Sequence, residues 1–377
     1  MIPLARALVR RGHRVGWATA PDALADLAPL GVVPLPAGHT TCAARRLYRL
    51  TWPEAEALEG EALGAHTFPR LFGGVIAPAM LPDLSRAVER WKPDLVVSEP
   101  AALAARLVCA KHRVMHLEHG FGLPPPTPAI ERAMRELHQR VPDPGWQSVR
   151  TDQTPAYLDI VPPGLHAAGP PPHTVHSMRP VEGIGATSRS LPASWRGALE
   201  SRAVKIHVTF GTVFNRRHAL RVAVAAAARL DALVFVTIGR DGEPSDLGSL
   251  PPSVHVERFV DQGALYAACD VALSHGGAGA LLAAAAHGKP HVVLPQGADH
   301  FRNARALEAA GAGVVVPPDR CTGEAVEAAL RNALDSLPLR HAARGLAAQI
   351  ESMPTPAAVA RQLERGAVGA SEADPSK

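Results

Sequence analysis

The sequence predicts an α/β protein made of two doubly wound parallel sheets, on three observations. Short apolar runs alternate with helix-length stretches along most of the chain, the pattern of strands that pair in parallel through helical crossovers. At 377 residues the chain exceeds what one core of ordinary size organises, so two cores are expected. A stretch rich in Pro and Gly over 161–203 separates the halves, which places a linker there. The cores must be Ala, Leu and Val, because hydrophobic residues make up 47% of the chain and aromatics only 4%.

Taken in order, Leu4 to Arg11 reads as a helix closed by Gly12, and His13 to Thr19 as a strand. Asp22 to Leu30 is helical and Val32 to Leu35 a short strand. Residues 37–80 are polar with scattered glycines, which fits an insertion with helical pieces or a mobile binding loop. Leu84 to Trp91 is a helix, Pro93 to Ser98 a strand, Ala101 to Lys111 a helix and Arg113 to Leu117 a strand. These make a first domain over 1–180, followed by a linker over 181–203. The second domain, 204–351, opens with the strand Val204 to Phe210, the helix Arg216 to Leu230 and the strand Ala232 to Ile238. Then come a short strand at Val254 to Val256, a helix at Asp261 to Ala268 and a strand at Asp270 to Leu273. A glycine turn and its helix, the strand His291 to Leu294, the helix Asp299 to Ala310 and the strand Gly313 to Val316 follow. Thr322 to Leu337 and Arg340 to Glu351 close the domain, and 352–377 reads as a C-terminal helix with a disordered tail after Gly366.

Composition excludes several classes. The net charge is +4, and 34 of the 39 basic residues are Arg; Ala, Pro and Gly run high with it, which points to coding bias. No basic run exceeds two residues and no aromatics are interleaved with them, so nucleic acid is not expected as a partner. Cys42, Cys109, Cys269 and Cys321 are far apart with no C-x-x-C pair, so neither a metal site nor a disulfide framework is expected, and a reducing cytoplasm fits. No unbroken apolar run reaches 18 residues, so no membrane span is expected. The N-terminus is too short in apolar residues and too soon charged for a signal peptide.

The most informative stretch is Ser274-His275-Gly276-Gly277-Ala278-Gly279-Ala280, between an apolar strand and an alanine-rich helix. Glycines at a strand-to-helix turn let an anion approach the backbone, where unpaired N–H groups and the helix dipole meet it. His275 adds a side-chain donor. The plain alternative is a tight turn without a ligand. In a doubly wound sheet, ligands bind outside the carboxyl ends of the strands. Four segments present polar or Gly residues there: Thr209 to Thr212, Arg258 to Gln262, Ser274 to Gly277 and Pro295 to His300. Together they suit a nucleotide carrying a polar group.

The order Phe259-Val260-Asp261-Gln262, His275-Gly276-Gly277-Ala278-Gly279, Gly288-Lys289-Pro290 and Pro295-Gln296-Gly297-Ala298-Asp299-His300 resembles the donor signature of the inverting UDP-glycosyltransferase superfamily. The likeness is strongest to bacterial enzymes that glycosylate natural products, including macrolides. It is close over about 204–350 and looser through Pro93 to Val97 and Tyr157 to Pro163. It implies a GT-B fold, two Rossmann-like domains facing a cleft, and inverting transfer of a hexose from a UDP- or dTDP-sugar to a small hydroxylated acceptor, with no metal or other cofactor. It implies that Phe259 faces the base, or else is a core residue; that Gln262 reaches the ribose, or else is solvated; and that Thr212 bonds the distal phosphate, caps a helix, or both. His275 would hold a phosphate or be structural. Gly277, Gly279 and the Ala280 N–H would line the pyrophosphate. Asp299 would bind sugar hydroxyls or cap the following helix, and His300 would be a second sugar contact.

Several positions depart from that pattern. Ala280 stands where many relatives have Thr or Ser, Ala283 where many have Glu, and His300 where the sugar-reading pair ends in Gln. The first strand of the superfamily's acceptor domain, and the His of the loop after it that deprotonates the acceptor, have no counterpart in this sequence. His13 lies after the helix and is no substitute, so no catalytic residue is assigned and a misplaced start is one explanation. Glu99 stands where relatives can carry the carboxylate that orients the base, or else stabilises a helix dipole; His116, Glu118 and His119 line the acceptor side or pack inside it. The second reading is a catalytically impaired sugar-nucleotide-binding relative or auxiliary protein. A nucleotide-sugar epimerase would need a pair of carboxylates that the sequence does not locate. A dinucleotide oxidoreductase is disfavoured, because no G-x-G-x-x-G with a following acidic residue is present.

Overall fold

A computed structural model of the chain describes residues 1–141, 143–149, 155–167, 171, 173–180, 191–211, 217–239 and 242–371. It divides into two compact units: Met1–Ile160, Pro170–Arg179 and Pro354–Lys377 in the first, Val161–Gly169 and Pro180–Met353 in the second. The helix Pro356–Ser371 thus belongs to the first unit, where Glu364 accepts from Arg11 and shares a hydrogen bond with His13.

In the first unit, β1 (Gly16–Thr19) pairs in parallel with β2 (Val33–Pro36). A second parallel sheet runs in chain order through β3 (Leu95–Ser98), β4 (Met115–His119), β5 (Ala156–Asp159) and β6 (Thr174–Ser177). Residues 41–91 are mostly helical: Thr41–Thr51 is capped by the Thr40 side chain on Ala43 N–H, and Gly60–Trp91 is one helix of 32 residues. Its middle, Phe68–Ile76, widens into a π-helical stretch whose second residue is Pro69, where the missing N–H interrupts the ordinary ladder. Gly73 permits close approach of the neighbouring helix Thr127–Arg140, since a methyl there would stand 2.1 Å from the Ala133 carbonyl oxygen. By length and composition alone the 32-residue helix could cross a membrane. The expectation of no span rested on unbroken apolar runs and missed it, because Gly64, His66, Pro69 and Arg70 interrupt the apolar residues. Within this unit it is a packed element: Ala77 and Leu81 join a core with Leu103, Leu107, Ala133 and Leu137.

The second unit holds one six-stranded sheet of β7 (Val204–Thr209), β8 (Ala232–Thr237), β9 (Val254–Glu257), β10 (Val271–Ser274), β11 (His291–Val293) and β12 (Gly313–Val315). All pairs are parallel, and the spatial order is β12-β11-β10-β7-β8-β9. The winding therefore reverses between β7 and β10, where Thr209 stands beside Ser274. That is the doubly wound order, with its crevice beyond the carboxyl ends of those two strands. Both faces are covered, which explains the near-continuous apolar strands: Ile206, Val208, Val234, Val236, Leu273 and Val292 are buried in one core with the helices Arg217–Ala227 and Gly323–Asp335.

Candidate functional site

The glycine turn lies at that reversal. Gly276 has φ +85°, and a methyl on it would stand 2.6 Å from Val293 Cγ1, so only glycine fits. Gly277 is the N-cap of the helix Ala278–Ala286. The helical ladder opens with Leu281 N–H donating to the Gly277 carbonyl at 3.0 Å. The N–H groups of Ala278, Gly279 and Ala280 therefore stand outside the ladder, as first-turn donors must. Gly279 is exposed with nothing within 4 Å of where a methyl would sit, whereas Ala280 is buried.

His275 is wedged between the turn and the end of β7. A methyl on Gly277 would stand 2.7 Å from its Nε2, and one on Gly211, which has φ +67°, would stand 3.0 Å from the same atom. Its ring stacks on Phe210, with centroids 6.0 Å apart, and meets His300 edge-to-face at 4.4 Å. Burial first, and the neighbouring His300 second, push the His275 imidazole down to about 4. It is neutral at physiological pH, so it can serve an anion as a hydrogen-bond partner but brings no resident positive charge.

Behind the turn lies a buried polar relay that the sequence reading did not single out. Ser274 Oγ accepts from Gly276 N–H at 2.9 Å and shares a 2.8 Å hydrogen bond with His291 Nε2. On the other side of Gly276, Asn303 Nδ2 donates to its carbonyl at 2.8 Å and to Asp299 Oδ2 at 2.7 Å. Asn303 is fully buried. The signal was its spacing, since positions four apart on a helix face one another.

Asp299 begins the helix His300–Ala309, yet its carboxylate makes no capping bond to the backbone. It is half-buried and held by Asn303. Ala298 before it has φ +48°, the left-handed region that costs a non-glycine residue about 1–3 kcal/mol. His300, read from sequence as a second sugar contact, is only 2% exposed. Its Nδ1 accepts from the backbone N–H groups of Gln296 and Gly297 at 3.3 and 3.2 Å, so it shapes the loop that presents Asp299.

Phe259 is half-buried just beyond β9, on the same carboxyl edge of the sheet. Two strand spacings separate β9 from β7, roughly 10 Å. Asp261 caps the helix Gln262–Ala268 through Ala264 N–H at 3.2 Å, which puts Gln262 at its first, half-buried position. Thr212 lies outside the described residues. Among those described, no group of three His, Cys, Asp or Glu side chains is arranged to hold a metal ion.

The first unit carries its own polar groups at the carboxyl ends of its strands. Glu99 follows β3, accepts from Ala101 N–H at 2.7 Å, and is pushed up to about 7 by burial, with the Glu118 charge adding to it. Glu118 is buried in a two-point pair with Arg106, at 2.6 and 2.8 Å. His116 bonds Ser98 Oγ at 2.8 Å, and the buried His119 ring bonds the Gly120 carbonyl at 2.6 Å. These three therefore pack inside the unit. Beyond the carboxyl end of β2 opens a cavity of about 610 Å³ lined by Gly38, His39, Leu47, Val75, Asp83 and Arg140, among others.

Comparison with known proteins agrees with this architecture. Residues 221–365 match the family model described as "Erythromycin biosynthesis protein CIII-like, C-terminal domain". The chain is 32% identical over 301 residues to the L-demethylnoviosyl transferase of Streptomyces niveus, covering 75% of this chain and 74% of that protein. It is also 32% identical over 373 residues to the elloramycin glycosyltransferase ElmGT of Streptomyces olivaceus, covering 96% and 92%. Among solved structures, the Streptomyces sp. SF2575 glycosyltransferase SsfS6 complexed with thymidine diphosphate superposes with a TM-score of 0.77 at 26% identity, over 97% of this chain and 95% of that one. The spinosyn rhamnosyltransferase SpnG complexed with spinosyn aglycone gives 0.77 at 25% identity, over 97% and 95%.

Proposed function

This chain belongs to the GT-B glycosyltransferases of bacterial natural-product biosynthesis, and from that membership we propose how its residues divide the work of moving a sugar from a nucleotide onto a small acceptor. The donor is a UDP- or dTDP-sugar whose diphosphate lies against the N–H groups of Ala278, Gly279 and Ala280. The thymidine diphosphate bound by SsfS6 favours the thymidine form. His275 bonds a phosphate oxygen as a neutral imidazole, with Gly277 leaving room for its Nε2. Asp299 takes sugar hydroxyls through charge-assisted bonds, while His300 holds the loop beneath it. Phe259 faces the base and Gln262 the ribose, at the far end of the same edge. Thr212 is proposed for the distal phosphate.

Transfer proceeds by direct displacement with inversion at the anomeric carbon. As the glycosidic C–O bond breaks, its electrons pass to the leaving diphosphate, and charge develops where the first-turn donors point. The acceptor hydroxyl gives its proton to a general base, a role assigned to no residue here, as its oxygen forms the new bond. The 610 Å³ cavity suits an acceptor with apolar surface and a few hydroxyls, since Leu47, Val75, Pro78 and Ala79 line it beside His39, Asp83 and Arg140. No resident metal is invoked, and a cytoplasmic site of action fits four cysteines that are all free thiols.

One observation carries the reading: three unpaired N–H groups at the winding reversal, with a histidine wedged beside them. His275→Ala tests it by calorimetric titration with UDP and dTDP. A lost hydrogen bond to a charged group is worth about 1.5–3 kcal/mol, roughly a 10- to 150-fold loss of affinity. Unchanged affinity for both nucleotides in a folded variant overturns the phosphate assignment.

A further inference from the structure

We infer that Asn303 is a positioning residue that locks the diphosphate turn and the sugar carboxylate into one rigid unit. The inference rests on the reading of Gly276–Ala280 and Asp299 given above. Both hydrogens of the Asn303 amide are committed, one to the Gly276 carbonyl at 2.8 Å and one to Asp299 Oδ2 at 2.7 Å. Both partners are acceptors, so the amide has one orientation. The side chain has no exposed surface; it reaches the ligand only through the two groups it holds.

Each partner needs this grip. Gly276 sits at φ +85°, a conformation a glycine does not keep unaided, and side chains hold both its polar groups: Ser274 takes the N–H and Asn303 the carbonyl. Releasing the carbonyl frees the peptide that joins Gly276 to Gly277 to turn, and with it the direction of the first-turn donors. Asp299 begins a helix without capping it and follows a left-handed Ala298, so among the described residues it is the Asn303 amide that holds the carboxylate in direction. The same –NH₂ therefore sets the distance between the group that meets phosphate and the group that meets sugar. Substrate contacts fixed within fractions of an ångström depend on such supporting bonds.

The experiment measures dissociation constants for dTDP and dTDP-glucose by calorimetry in wild type, Asn303→Ala, Asp299→Ala and the double variant, with thermal melting of each. Asp299→Ala is expected to leave dTDP affinity unchanged and to weaken dTDP-glucose about tenfold. Asn303→Ala is expected to weaken dTDP about tenfold and dTDP-glucose about a hundredfold. The double variant is expected to be no worse than Asn303→Ala, because the carboxylate is already misdirected. Losses that multiply in the double variant, or unchanged dTDP affinity in Asn303→Ala, overturn the inference and leave the donor-site reading standing. A wild type that binds no dTDP, or gains nothing from the sugar, overturns both. Asn303→Ser, which keeps one donor for two acceptors, should fall between wild type and Asn303→Ala. If neither variant at 303 folds, the residue is structural only and the inference fails.

Discussion

Gly279→Ala separates what the turn does for folding from what it does for a ligand. A methyl at 279 meets nothing within 4 Å among the protein's own atoms, and the residue is the second of a helix. Replacing a helical glycine by alanine stabilises by about 0.5–1 kcal/mol, so the melting temperature should rise by about 1–4 °C for a unit of this size. Helical Cβ atoms tilt toward the N-terminus, which aims this methyl at the space over the free N–H groups. A diphosphate pushed out of contact there loses at least one charged hydrogen bond, about 1.5–3 kcal/mol, or roughly 10- to 150-fold in affinity. Calorimetry with dTDP and UDP beside a thermal melt reads both effects. The controls behave differently: Gly276→Ala must strain a φ of +85° and strike Val293, and Gly277→Ala must displace His275, so both lose stability along with binding. A Gly279→Ala variant that melts higher and still binds nucleotide at wild-type affinity would refute the placement of the anion.

Two further predictions concern protons. His207 and His291 are held down to about 3, and His275 and His300 to about 4, in each case chiefly by burial. The unfolded chain takes up these protons near pH 6.5 and the folded one does not, so stability is lost as pH falls below 6.5. At pH 5.5 each neutral ring costs roughly 1 kcal/mol, and the four together several kcal/mol, a large share of a domain's stability. Circular dichroism should therefore show cooperative acid unfolding with a midpoint near pH 5, and a fold intact at pH 4 would contradict the burial argument. Glu99 has the opposite sign: a carboxyl raised from 4.5 to about 7 by burial stays protonated in the fold where the unfolded chain has ionised, so the fold weakens as pH rises from 4.5 to about 7 and bears the full cost above that. Glu99→Gln should then gain up to about 3 kcal/mol at pH 8 and under about 1 kcal/mol at pH 5, read as a pH-dependent difference in denaturant midpoint; an equal effect at both pH values would exclude the titration.

The second unit was the more legible half because its signals are local. Apolar runs marked β7, β8, β10 and β11, since strands covered on both faces need no alternation. The glycines after β10 announced a strand-to-helix turn, and the described parts of the four polar segments at strand ends lie at one edge because the sheet is parallel. The first unit hid more. Among the described residues the edge strand β6 pairs with β5 alone and its Val175 is exposed, so its pattern is weak. The helices within 41–91 carry Pro53, Pro69, Pro78 and Pro82, which read as breaks until the π-helical widening and the packing of Gly73 on Ala133 absorb them. At the site, residue types were readable but partnerships were not. Ser274 and His291 are 17 positions apart, and Gly276 and Asn303 are 27 apart, and only the register of β10 on β11 and the following helix joins them. His300 is the sharpest case: its place in the motif pointed outward to a sugar, whereas tertiary structure turns its Nδ1 to the backbone of the loop.

On the proposed reading, the helix behind the turn is what meets the diphosphate. Seven of the nine residues of Ala278–Ala286 are buried, so its peptide dipoles run through low-dielectric surroundings and are less screened than those of a surface helix. Ala280 and Ala283 offer no side-chain hydroxyl or carboxylate, His275 is neutral, and the first-turn donors of the helix are main-chain groups whose direction is fixed by the fold. Such a cradle needs no reorganisation as charge moves onto the leaving diphosphate, and it gains most where that charge is greatest, in the transition state. On that reading directional accuracy matters more than net charge, and the buried bonds that Ser274 and Asn303 make with Gly276 would bear on transfer from behind the turn.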